Sequence, residues 1–270
     1  MSKNEYIEAY LNAAKQGQIS MLELLLKNGV DINSKDKWKD SALIFAVDNH
    51  QVKTAKFLID KGINLNDTDY YGEVALFHAV SIPDIELVKL LVKSGSDVNI
   101  SDQYGTTCLM QSCKLHSMYG VEAMAKWSKI YKQDNENTVD FVDDFNPNKV
   151  AFDITKFLLE NNANVDIENK DGVNALDIAA MNDDAKRIDL LLNYSADINH
   201  ICKTNNFTPL MNAIDSSFGH LTDAIKTLVQ RGADINIETK HPYTGSVNTA
   251  LTLAIASEEI REFLLKNGGR

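Results

Sequence analysis

Six histidines, three cysteines and a surplus of carboxylates are the groups in this 270-residue chain that could do chemistry. Metal binding needs such donors at fixed spacing on one helix or loop. His50, His78, His116, His200, His220 and His241 are scattered instead, none of them four residues from a second ligand in a metal pattern. Cys108 and Cys113 stand five apart on one short apolar helix and read as small core residues rather than a reactive pair. Asp140, Asp143 and Asp144 could attract a divalent ion. They lack the alternation and closing glutamate of a calcium loop, so they read as a solvated acidic loop. Neither a glycine-rich phosphate loop nor a nucleophile elbow is present. No catalytic residue, metal or cofactor is expected, and the chain reads as a non-enzyme.

Composition narrows the partners. With 27 Lys and Arg against 38 Asp and Glu the net charge is −11, which opposes binding to nucleic acid or an anionic membrane and favours a basic protein partner. A hydrophobic content of 44% supports a continuous core and excludes disorder. No basic-plus-apolar segment precedes the first helix, and no run reaches the roughly 18 apolar residues of a membrane span. An odd cysteine count without C-x-x-C fits a reducing compartment, and a cytoplasmic location is expected.

The elements that position these residues are repeats. Gly29, Gly62 and Gly95 each close a helical run at a constant spacing of 33 residues. The closure returns at Asn162, Ser195, Gly232 and Gly268. The clearest copy runs from Tyr71 to Asn99. A Tyr-Gly turn leads into Ala75 to Val80, and after Ile82-Pro83 a second run places Ile85, Val88, Leu91 and Val92 on one helical face. Glycine at each closure suits a left-handed helix C-terminus; Asn162 can replace it at modest cost, and Ser195 less well.

These residues resemble the ankyrin repeat. Gly72 and Leu76-x-His78-Ala79 stand where that family has G-x-T-P-L-H-x-A, with Val74-Ala75 in place of Thr-Pro. Leu90 begins a full L-L-x-x-G-x-D-V-N closure, and Thr208-Pro209-Leu210 is an intact match. The resemblance implies an all-α ankyrin-repeat solenoid of stacked helix-turn-helix units with β-hairpin-like fingers. About seven copies would form one domain over 1–270, divided near 4–35, 36–68, 69–101, 102–168, 169–202, 203–238 and 245–270. The fourth would carry an insertion near 116–150. There Val121 to Ile130 reads as a helix and Asp134 to Asn148 as a loop, before a second helix from Phe152 to Glu160. His78 takes the family's structural histidine position, with turn and inter-repeat hydrogen bonding as its implied role.

The family's binding groove is lined by finger tips and first helices. Carried over by alignment to each turn glycine, the tips hold Trp38, Asp40, Tyr70, Tyr71, Glu73, Tyr104, Thr106, Asp171, Val173, Asn205 and Phe207. The first helices hold Asp48, Asn49, Ser81, Ile82, Lys114, Met181, Asn182 and Asp215. The row Trp38, Tyr70, Tyr71 and Tyr104 is the sharpest feature, because large rings dominate protein interfaces. Asp40, Asp48 and Glu73 beside it suit a partner's Lys or Arg. The implied function is protein–protein interaction by a chain that is monomeric when unbound. Abundant Asn, Lys and Ile suggest an AT-rich genome, a bacterium or a protist. The favoured specific role is an inhibitor or immunity protein of a toxin or enzyme. A host-directed effector is the alternative, and an enzyme built on the 116–150 insertion a remote one.

Overall fold

Helices of seven to nine residues have little stability alone, so they depend on their neighbours and, where one is present, on a cap. The computed structural model describes residues 2–118 and 147–270. Capping is local and legible: the Ser41 hydroxyl accepts from the Ile44 N–H, Thr208 does the same for Met211 with Pro209 behind it, and Asn174 forms a reciprocal box with Asp177. The chain packs as two compact units, residues 2–115 with 147–162 and residues 116–118 with 163–270.

The first unit contains α1 (Lys3–Lys15), α2 (Ile19–Lys27), α3 (Ala42–Asp48), α4 (Val52–Asp60), α5 (Ala75–Ser81), α6 (Ile85–Lys93), most of α7 (Cys108–Met118), and α8 (Pro147–Glu160). First helices stack as α1 on α3 on α5, and second helices as α4 on α6 on α8. Ala46 and Ala79 are fully buried where first helices meet, and Leu22, Leu58, Leu87 and Leu91 are fully buried on the second row. Each such leucine contributes about 1.5–3 kcal/mol by burial, and that is available only once the next copy is in place. Cys108 and Cys113 are buried as expected, with burial pushing the Cys108 thiol up to about 12. The Ser112 and Thr155 hydroxyls meet at 2.9 Å, tying α7 to α8. That helix starts earlier than the expected Phe152: Pro147 and Asn148, read as loop, are already helical, and proline is well suited to a first turn. The proposed helix 121–130 and the acidic residues Asp140, Asp143 and Asp144 lie outside the described residues.

The second unit contains α9 (Ala175–Met181), α10 (Ala185–Asn193), α11 (Pro209–Ser216), α12 (Asp223–Gln230), α13 (Ala250–Leu253) and α14 (Glu258–Lys266). Here α9 packs on α11 and α11 on α13, with α10 against α12. A two-stranded antiparallel hairpin, β1 (Thr239–Lys240) and β2 (Val247–Asn248), pairs Thr239 with Asn248. Arg187, almost fully buried, bonds the Asp184 carboxylate that also caps α10.

The closures behave as their residue types require. Gly29, Gly62, Gly95, Gly232 and Gly268 hold φ between 84° and 100°, while Asn162 and Ser195 hold 67° and 66°. The fold class is the all-α repeat solenoid read from the sequence. Among the described residues, no helix is long and apolar enough to cross a membrane.

Candidate protein-interaction surface

Three successive fingers of the first unit are built alike. Asp36, Asp69 and Asp102 stand 33 residues apart, and each folds its Oδ1 back to accept from two backbone N–H groups of its own finger. The donors are Trp38 and Asp40 at 2.8 and 2.9 Å, Tyr71 and Glu73 at 2.8 Å each, and Tyr104 and Thr106 at 2.8 and 2.7 Å. Such turns set the tip conformation without help from the core. The fingers are also bonded to one another: the Tyr70 N–H donates to the Trp38 carbonyl and the Gln103 N–H to the Tyr71 carbonyl, both at 2.8 Å. Gly72 sits at this join with φ 82°, where a Cβ would lie 2.9 Å from the Gln103 nitrogen.

These ordered tips carry large rings into solvent. Trp38, Tyr70, Tyr71 and Tyr104 are 53, 57, 50 and 60% exposed. Trp38 and Tyr70 meet edge to face at 6.2 Å, and Tyr70 and Tyr71 at 5.4 Å. Behind them is a cavity of about 340 Å³ lined by Trp38, Asp40, Asp69, Tyr70, Tyr71, Glu73 and His78. Tyr104 stands on the third finger and is not among those lining residues. A second concavity of about 610 Å³ lies between α1 and the first finger, lined by Asn4, Ile7, Glu8, Leu11, Asn12, Phe45 and residues 35–37.

Charge at the floor of the ring-lined cavity is concentrated. His78 on α5 directs Nδ1 at Asp48 Oδ1, 2.8 Å away at the end of α3, and its Nε2 lies 3.7 Å from both Asp69 and Glu73. At 3.7 Å those two contacts are ion-pair rather than hydrogen-bond distances. Burial works against the protonated imidazole, but the bond to Asp48 and the carboxylates of Asp69 and Glu73 prevail and hold His78 up to about 10. Burial and the neighbouring Asp36 push Asp40 up to about 6. Burial also raises Glu73. Asp69 is pulled up by burial yet ends low, because His78 and the backbone donors of Glu73 and Tyr71 outweigh it. Asp69, Glu73 and His78 each bring one donor atom within 4.8 Å of the others, a grouping able to receive a cation.

Not every residue read from the alignment faces solvent. Phe207, in the second unit, is 7% exposed, and Thr106 on the third finger is 3% exposed, so neither presents a surface. Asp69 was missed as a cavity residue, although the constant spacing of Asp36, Asp69 and Asp102 marks it. Phe218 and Tyr243 of the second unit, 93 and 87% exposed, had no signal in the repeat pattern. His50 bonds Asp84 of the next copy at 2.8 Å, and His200 meets Asp177 of its own copy at 2.9 Å and Glu168 of the preceding one at 3.3 Å, so these two histidines serve packing within and between copies.

Comparison with known proteins meets this geometry. The profile of the ankyrin repeats, three copies long, matches residues 10–102 and 146–239. The chain belongs to the ankyrin repeat family. Among solved structures 509 chains match, including the ankyrin repeat domain of human ASB11 at 21% identity and a TM-score of 0.67. That alignment covers 97% of this chain and 98% of that one and shows the ankyrin fold. No curated protein matches the chain. Ankyrin repeats are generally protein–protein interaction modules, and the ankyrin fold is typically a non-catalytic binding scaffold.

Proposed function

We propose that this ankyrin protein binds a protein partner through the finger face of its first unit, with Trp38, Tyr70, Tyr71 and Tyr104 as anchors and Asp40, Asp48 and Glu73 as their charged surround. One observation carries the reading: four large rings stand at least half exposed on consecutive, hydrogen-bonded fingers. Rings already held by their scaffold lose little conformational entropy on binding, which makes them effective hot spots. Net charge of −11 and the acidic floor support a basic partner and, more narrowly, an inhibitory role toward a toxin or enzyme with a basic face. An effector acting on a host protein is the competing role and would use the same face.

The test is affinity capture from native lysate with the wild type and a Trp38→Ala/Tyr71→Ala/Tyr104→Ala variant, both first shown folded by circular dichroism. A protein retained by the wild type and lost by the variant supports the surface. Equal retention overturns it. Inhibition of the captured protein's own activity by stoichiometric wild type would separate inhibitor from effector.

A further inference from the structure

We infer that the ring-walled cavity of the first unit receives an arginine side chain of the protein partner. The inference rests on the finger face being the binding surface and names the chemistry at its centre.

The walls favour a cation. Trp38 and Tyr70 stand at 86° to one another, and Tyr70 and Tyr71 at 90°, so the Tyr70 ring is set across both of its neighbours along the cavity wall. Cations are drawn to ring faces by the π quadrupole. The chain already illustrates this, because its own Lys37 Nζ sits 5.5 Å over the Trp38 ring.

The floor favours one as well. Asp40, Asp69 and Glu73 line the cavity and Asp48 adjoins it through His78; against these four carboxylates stands the one imidazole. Glu73 and Asp40 are held above the ordinary carboxylate range by burial, so an entering positive charge would relieve both. Asp69 commits Oδ1 to two backbone donors while its Oδ2 faces His78 at 3.7 Å, leaving acceptor capacity for a further N–H.

Planarity selects arginine over lysine. A guanidinium can stack on one ring while its edge forks onto a carboxylate, whereas an ammonium does one or the other as a point charge. At about 340 Å³ the cavity accepts a guanidinium with part of its methylene stem.

The probe is the peptide acetyl-Gly-Ser-Arg-Ser-Gly-amide, compared with the same peptide carrying citrulline, the neutral isostere of arginine. Binding is read from the Trp38 indole N–H resonance, assigned with the Trp38→Phe variant. A saturable shift with the arginine peptide is expected, weakened about tenfold or more by citrulline and by Glu73→Gln. Equal response to the two peptides, or no saturable response to either, overturns the inference. So does a response confined to Zn²⁺ alone, which would assign Asp69, Glu73 and His78 to a metal ion. The two readings fail separately. If the triple ring variant loses its captured partner but the arginine peptide behaves like citrulline, the surface stands and the arginine receptor falls. If the variant keeps its partner, the surface itself falls.

Discussion

His78 on α5 and Asp48 on α3 meet at 2.8 Å across the boundary between two repeats, and the bond joins the charged floor of the finger cavity to the stacking of first helices. One contact therefore serves both packing and the surface above it.

Replacing His78 by Gln removes a charge-assisted hydrogen bond worth about 1.5–3 kcal/mol. A folded-state value of about 10, against 6.5 for the ordinary side chain, means the folded state holds this proton more tightly. The stabilisation is fully present below pH 6.5 and is lost as pH rises through about 10. Melting curves of wild type and His78→Gln should differ most near pH 6 and converge in alkaline buffer; a gap independent of pH would show that the bond does not depend on the imidazolium.

Asp40 follows the same direction with pH as His78, but here the charged form is the one the fold resists. Its carboxyl is raised from 3.8 to about 6 by burial and by Asp36, so the folded state resists ionisation and stability is lost as pH rises through that interval. Asp40→Asn should raise the melting temperature at neutral pH and leave it unchanged below pH 3.8. The same substitution should weaken the arginine peptide. Stability gained with binding lost is the signature expected of a carboxylate kept for recognition.

At Gly72 the finger-to-finger join leaves no room for a methyl group, and φ is 82°. Gly72→Ala should cost about 2 kcal/mol or more, combining left-handed strain with a clash against backbone. Gly29→Ala, at φ 88° with open space around it, isolates the strain alone and should cost about 1–2 kcal/mol. Urea unfolding of the pair measures the difference; equal losses would show that the fingers adjust freely.

Ser195 closes α10 at φ 66° and is solvent-exposed. Glycine there relieves about 1–2 kcal/mol of left-handed strain and gives back part of it as unfolded-chain entropy. Ser195→Gly should gain about 0.5–1 kcal/mol in urea unfolding. No change would mean that serine is already unstrained at this closure.

The repeat was legible in the chain because its requirements are local. A left-handed closure wants Gly or Asn, a short helix gains from a cap such as Ser41 or Thr208, and leucines at helical spacing want a neighbour. Each requirement recurs every 33 residues whatever surrounds it. Even the finger turns were within reach, since Asp36, Asp69 and Asp102 share that spacing. Tertiary structure alone decided which side chains meet. His78 finds Asp48 thirty positions earlier, and rings from residues 38, 70 and 71 share one cavity, because stacking brings separate copies side by side and no single copy encodes that. Phe207, aligned with the exposed tips, is buried for a related reason: alignment gives its place in the repeat, while packing around its own finger decides whether the ring faces water or core.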